Sequence, residues 1–180
     1  MRDKEIAWAA LTDIVNVLNR VGVPYTLDGG TLLGFYRDGF FFPHDKDVDL
    51  TLLNQHDRLP DVEREARALR YKVWRHQRVG NSGCAKLQLS RDGIMVDIVS
   101  KHERKGLAWW ALIQAPDRLK SMPARYYREL GTLVVRDRVF SIPLDVEGHL
   151  AERFGEDWRT PRSNWDRYQH DRAYPSVRGE

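Results

Sequence analysis

The sequence predicts an α+β, or mixed α/β, fold in which a mixed, largely antiparallel sheet is flanked by helices. Two observations lead there. Apolar residues recur at helical spacing in a few amphipathic stretches, and the middle of the chain breaks into short apolar runs separated by turn residues. At 180 residues and 42% hydrophobic content, the chain can bury one sizeable core but is too short for two, so residues 1–180 are expected to form a single domain.

The first helix is read from Ile6, Ala10, Ile14, Val17, Leu18 and Val21, with Gly22 and Pro24 stopping the pattern. Tyr25-Thr26-Leu27 follows as a short strand and runs into Asp28-Gly29-Gly30-Thr31, where the glycines permit positive φ and Thr31 can cap a short helix over Leu32–Tyr36. Asp47–Leu53 alternates polar and apolar residues and then turns wholly apolar, as a strand entering a buried sheet does. Leu59–Leu69 is a charged helix with a thin stripe of Leu59, Val62, Ala66 and Leu69. Three strands are expected over Tyr71–Arg75, Cys84–Ser90 and Ile94–Val99, with turns at Gly80–Gly83 and Arg91–Gly93, the last two strands forming a hairpin. Trp109–Leu119 fits either a helix or a loop, and Tyr126–Leu130 reads as helical. Thr132–Val135 and Val139–Ile142 suggest a second hairpin, Asp145–Phe154 a final helix stopped by Gly155, and the remainder an irregular tail.

Lys plus Arg number 29 and Asp plus Glu 26, and the signs are interspersed, which argues against a nucleic-acid partner. The net charge of +3 still suits an anionic substrate, for which a few placed cations suffice. Cys84 is the single cysteine, so neither an intramolecular disulfide nor a cysteine-paired zinc is available, and no histidine pair has metal-ligand spacing. Met1-Arg2-Asp3-Lys4-Glu5 lacks the apolar stretch of a signal peptide, and the apolar run around Leu107–Ile113 is far below spanning length. A cytoplasmic protein without a transmembrane segment is expected.

The chemistry is carried by aspartates. Asp47 and Asp49 sit two apart on a strand, so both carboxylates leave one face, roughly 7 Å apart along the chain. Asp97 interrupts the apolar run Ile94–Val99, where an unpartnered charge is expensive to desolvate. Phosphoryl transfer needs hard cations, and carboxylates are their usual ligands, so Asp47, Asp49 and Asp97 are the candidate catalytic residues and the candidate ligands of Mg²⁺ or Mn²⁺. The Gly29-Gly30-Thr31 turn can cradle donor phosphate with backbone N–H groups and a hydroxyl. Arg37 and Lys86 are phosphate-holding candidates, and equally a helix-end cation and a solvated strand residue. Asp28 either supports the turn or forms a simple Asx-turn. Trp109, Trp110, Trp158 and Trp165 can stack on a base, a sugar or a choline-like cation, although aromatic residues more often serve the core.

Gly30-Thr31-Leu32-Leu33-Gly34-Phe35-Tyr36-Arg37, Phe40–Pro43 and Asp45-Lys46-Asp47-Val48-Asp49-Leu50 resemble the core motif of the LicD/fukutin-related family, and Phe154-Gly155-Glu156-Asp157-Trp158-Arg159-Thr160-Pro161 is similar to that family's Tyr-Gly-x-x-Trp-x-x-Pro ending. The resemblance implies a nucleotidyltransferase-like fold and a Mg²⁺-dependent transfer of phosphocholine or a polyol phosphate from a CDP-linked donor to a glycan or lipid-linked glycan acceptor, releasing CMP. It also implies Asp47 and Asp49 as metal ligands, Asp97 as the third carboxylate and Gly30 with Thr31 as the donor-phosphate turn. The chain departs from the pattern at His44 and Lys46, where the family more often has Trp and a further Asp, and Lys46 can instead pair with Asp45. An acceptor assembled at the membrane would bring the protein to the inner membrane surface as a peripheral partner.

No Gly-x-Ser-x-Gly or Gly-Lys-Ser/Thr motif is present, so esterase and Walker-type chemistry have no carrier. Direct attack by an acceptor hydroxyl, with Asp97 as base, is the simplest route. Two alternatives stand beside it: a small-molecule, antibiotic-type nucleotidyltransferase moving NMP from an NTP through the same residues, and a catalytically silent binding module that keeps the fold.

Overall fold

The computed structural model describes residues 2–43, 45, 47–78, 83–112, 115–162 and 171–173. Helix α1 (Arg2–Arg20) turns Ala7, Ala10, Leu11, Ile14, Val17 and Leu18 inward, all at most 1% exposed, so helical spacing in the sequence has become one buried face. Strand β1 (Thr26–Leu27) leads into helix α2 (Gly29–Asp38), and strand β2 (Asp47–Leu53) precedes helix α3 (Leu59–Ala68). Strands β3 (Lys72–Arg78), β4 (Ala85–Arg91) and β5 (Ile94–Arg104) follow. Next come β6 (Leu107–Leu112), β7 (Ala115–Pro123), the single turn α4 (Arg125–Arg128), the ribbon β8 (Leu130–Val135) with β9 (Arg138–Pro143), and helix α5 (Val146–Phe154).

The main sheet runs β1-β2-β5-β4-β3, with β6 added to the far end of β5 and β7 to β6. Among the described residues, only β2 and β5 pair in parallel; β1–β2, β3–β4, β4–β5, β5–β6 and β6–β7 are antiparallel. Val48, Leu50 and Leu52 of β2 and Val96 and Ile98 of β5 bury into the core that includes α1 and α3. The intervening residues, Asp47, Asp49 and Thr51 on β2 and Asp97 and Val99 on β5, therefore face the other side.

Three local expectations change. The described residues of Trp109–Leu119 are neither helix nor loop: Trp109–Leu112 belongs to β6 and residues 115–119 to β7. The pleat buries Ala108 and Trp110 on one side, a period of two that β5 completes by pairing His102 with Trp109. Helix α2 begins at Gly29, earlier than read, and its cap is Asp28, whose Oδ1 accepts the Gly29 N–H at 2.8 Å; Thr31 already lies inside the helix. Residues 80–82 of the expected Gly80–Gly83 turn, together with His44, Lys46 and Trp165, lie outside the described residues. Among the described residues, no helix is long and apolar enough to cross a membrane.

Candidate active site

Parallel pairing of β2 with β5 sets Asp49 directly beside Asp97 and Asp47 beside Met95. Adjacent strands lie about 4.8 Å apart and paired residues share a face, so this register gathers three carboxylates that the sequence holds in two distant segments. Asp47, Asp49 and Asp97 each offer an oxygen, and the three atoms lie within 4.8 Å of one another. The neighbouring strand supplies Lys86 Nζ to Asp97 Oδ2 at 2.5 Å and Gln88 Nε2 to Asp97 Oδ1 at 2.8 Å. Both Asp97 oxygens thus accept hydrogen bonds, and Lys86 partners that carboxylate.

The glycine turn grips Asp49. Gly30 N–H donates to Asp49 Oδ2 at 3.0 Å, and Thr31 Oγ1, fully buried, accepts the Asp49 N–H at 2.9 Å. Gly29 has φ +56, and a Cβ there would stand 2.2 Å from Asp49 Oδ2, so both its conformation and its lack of a side chain are required. Thr31 is buried away from the cavity and the Gly30 N–H is engaged by Asp49, so in this structure the turn orients a carboxylate. Gly34 has a packing role of the same kind, because a Cβ there would meet Phe40 O at 2.8 Å. That close approach, with Phe35 stacked on Phe40 at 5.7 Å, brings the Phe40–Pro43 segment back toward β2.

Burial, reinforced by Asp47, pushes the Asp49 carboxyl up to about 7. Asp45 is pushed to about 8, again by burial first and then by Asp47 and Asp49, and its Oδ2 is buried with no hydrogen-bond partner. The sequence reading passed over Asp45 as a site residue; its place three residues after Phe42, on a segment pinned by aromatic packing, comes from the tertiary fold.

These acids line a cavity of about 670 Å³ together with Gly29, Gly30, Arg37, Phe42, Lys120, Arg153 and Trp158. Arg37 is at the cavity, its guanidinium 5.0 Å from the Phe42 ring centroid, and it donates to Trp158 O at 3.2 Å and to Asp38. Trp158 is 5% exposed and belongs to the core while also lining the cavity.

Behind the turn lies a buried ionic cluster. Asp28 Oδ2 accepts from Lys101 Nζ at 2.6 Å and from Thr51 Oγ1 at 2.7 Å, while Oδ1 accepts from Arg153 Nη1 at 2.5 Å. Burial opposes ionisation of Asp28, but Lys101 and Arg153 outweigh it and hold the carboxyl well below its usual range. Lys101 sits 3.9 Å from the ring centroids of both Trp110 and Tyr127, and burial brings its ammonium down to about 8. His149, between Tyr126 and Tyr127, is pushed by burial to about 3 and is neutral. Sequence reasoning missed Lys101, His149 and Arg153. Two signals were present: Lys101 continues the odd-numbered face of Asp97 and Val99, and His149 with Arg153 falls at helical spacing beside the buried Val146 and Leu150.

Residues 22–145 match the LicD/FKTN/FKRP nucleotidyltransferase domain, which is well over half of the chain. The chain belongs to the LicD family. Similar curated proteins include the ribitol-5-phosphate transferases FKTN of Macaca fascicularis and of Homo sapiens, 28% and 27% identical over 159 residues. Those alignments cover 83% of this chain and 32% of each relative, so the chain spans about a third of their length. Among solved structures, the antibiotic-resistance factor ANT(2'')-Ia in solution aligns with a TM-score of 0.55 at 15% identity, covering 97% of this chain and 82% of that one. That likeness shows the nucleotidyltransferase-like fold. In this LicD-family chain the matched span includes the glycine turn, the Asp47/Asp49 strand and Asp97, whereas Arg153 and Trp158 lie beyond it.

Proposed function

We propose that this LicD-family chain is a Mg²⁺-dependent, or Mn²⁺-dependent, transferase that moves a phosphate-linked group, phosphocholine or a polyol phosphate, from a CDP-activated donor to a glycan or lipid-linked glycan acceptor. The observation that carries the reading is the convergence of Asp47, Asp49 and Asp97 oxygens within 4.8 Å at a cavity large enough for a nucleotide-linked donor. The donor set fits a hard divalent cation: all the ligands are carboxylate oxygens, and burial leaves Asp49 and Asp45 with raised proton affinity that a cation would relieve. Asp47, Asp49 and Asp97 would hold the ion, with Asp45 beside them. Bound there, such an ion would supply charge neutralisation for the phosphate oxygens.

The chain's own residues supply the rest. Gly29, Gly30 and Thr31 hold Asp49 in place, Lys86 and Gln88 orient Asp97, and Phe42 with the Arg37 guanidinium offers a flat surface for a base or sugar. The names of the FKTN relatives favour a polyol phosphate such as ribitol phosphate as the transferred group. We place the reaction in the cytoplasm or peripherally at the inner membrane surface, where lipid-linked glycans are accessible.

A panel of CDP-ribitol, CDP-glycerol, CDP-choline, CTP and ATP, each with Mg²⁺ and monitored for CMP or pyrophosphate, tests this. Release of CMP from a CDP-linked donor is the expected result. Pyrophosphate from an NTP would transfer the chain to the NMP-transferring class, and no product from any donor would leave a binding module.

A further inference from the structure

The sheet face that carries the aspartates does not end at them. Strand pairing runs one row of side chains across four strands, Asp49, Asp97, Gln88 and Arg75, and a second through Asp47, Met95, Ser90 and Lys72. Both rows finish on β3, which among the described residues is an edge of the sheet. A β-bulge interrupts β3 between Val73 and Arg75, with Trp74 as the extra residue. Val73 packs against the core and His76 Nδ1 lies 2.6 Å from Glu63 of α3 on that same side, whereas the Trp74 indole N–H donates to Ser90 Oγ at 2.8 Å. The bulge thus sets Trp74 and Arg75 side by side on the aspartate face.

Trp74 is 69% exposed, Lys72 and Arg75 are exposed as well, and neither cation has an ion-pair partner among the described residues. Cations on an edge strand discourage pairing with another chain, but an exposed tryptophan there does the reverse and calls for a use. Its hydrogen bond to Ser90 fixes the ring, so a partner stacking on the indole meets a surface already ordered, apolar on its face and suited to the C–H side of a sugar. The cavity proposed for the donor has no described lining residue on β3 or β4, and Asp97 is the lining residue that borders them. At about 4.8 Å per strand, Arg75 stands roughly 10 Å from Asp97 along its row, a gap that a short glycan bridges.

We propose that Trp74, Arg75 and Lys72 form the acceptor platform of the site: a sugar ring stacks on the Trp74 indole, and a negatively charged group of the same glycan rests on Arg75 and Lys72. The acceptor hydroxyl then reaches the aspartates from the β4–β3 side while the donor occupies the cavity on the other. Calling the glycan an acceptor rests on the transferase reading; the carbohydrate site itself does not.

The indole N–H resonance of Trp74, identified by its absence in Trp74→Tyr, is followed in EDTA while glucose 6-phosphate, glucuronate, glucose or inorganic phosphate is added. Either anionic sugar is expected to shift it and to bind at least about threefold more tightly than glucose or phosphate, since each reference lacks one of the two contacts. By calorimetry, Trp74→Ala should weaken that binding at least about threefold and Arg75→Gln a few-fold, whereas Trp74→Tyr, which keeps a ring, retains most of it. All three variants should melt near wild type, because both side chains are exposed. No shift with either anionic sugar, or Trp74→Ala and Arg75→Gln binding as wild type does, overturns the platform. A reference compound that binds as tightly as the anionic sugars overturns it too. Anionic-sugar binding in a chain that releases no CMP from any donor keeps the platform and removes the acceptor role; CMP release without sugar binding at Trp74 keeps the transferase and removes the platform.

Discussion

Asp28 and Asp49 are neighbours at one end of the same sheet, the Asp28 N–H donating to Asp49 O at 3.2 Å; Asp28 is buried and Asp49 half-buried at the cavity. Their surroundings drive them in opposite directions. Asp28 faces Lys101 and Arg153 and is held ionised; burial and then Asp47 push Asp49 up to about 7, against the pull of Arg153. Burial weighs on both, so the sign of the neighbouring charge decides. A buried carboxylate already matched by cations belongs to the architecture, whereas one crowded by its own kind is poised to take up a proton or a metal.

The largest effect should come from breaking the matched region. Asp28→Ala leaves Lys101 and Arg153 buried without their shared carboxylate and removes the cap of α2, a cost of about 3–5 kcal/mol. Urea denaturation should show that loss, and a change below about 1 kcal/mol would mean that the cluster does not carry the fold as argued.

Asp49→Asn should act on the unmatched region in the reverse sense. CMP release is expected to fall about 10²–10³-fold, because charge stabilisation at the reacting phosphate is lost. Melting in EDTA should be no lower than wild type, since a repelled carboxylate has gone, and the Mg²⁺-dependent rise in Tm should largely disappear. Turnover at the wild-type rate, or an undiminished Mg²⁺ response, would remove Asp49 from the metal site.

The same carboxyl sharpens the comparison through pH. With a native value near 7 against an ordinary 3.8, Asp49 holds a proton in the folded chain between about pH 4 and 7 that the unfolded chain lacks. Its contribution to stability is therefore lost as pH rises through about 7. In EDTA, wild-type Tm between pH 6 and 8 should fall relative to that of Asp49→Asn, a difference in which the common groups Lys101 and His149 drop out. Saturating Mg²⁺ should abolish that relative fall, and parallel curves in EDTA would contradict the assignment.

The smallest expected effect is at Lys86, the cation that partly matches Asp97. Lys86→Met makes the acid cluster more negative, so the Mg²⁺ concentration giving half the thermal shift should drop a few-fold. A weaker Mg²⁺ response would show that the positioning of Asp97 by Lys86 outweighs the charge it adds.

The sequence by itself determined most of the local elements and singled out the three aspartates that the fold brings together. Period-two alternation put Asp47 and Asp49 on one face, an apolar run interrupted by a charge exposed Asp97, and helical spacing delimited α1, α3 and α5. The resemblance to the LicD motif led to the same residues. The fold buries the Thr31 hydroxyl against the Asp49 N–H, a contact that no local pattern shows. Only the tertiary structure decided what depends on distant pairing. The parallel register that sets Asp49 beside Asp97 joins strands separated by a helix and two further strands. β6, Leu107–Leu112, is held as strand by β5 on one side and β7 on the other. Asp28 meets Lys101 and Arg153 across 73 and 125 residues of sequence. Periodicity reports which face of an element a residue occupies. Which charges meet across faces depends on long-range contacts that no local pattern encodes, so the matched or unmatched state of a buried aspartate becomes visible only in the folded chain.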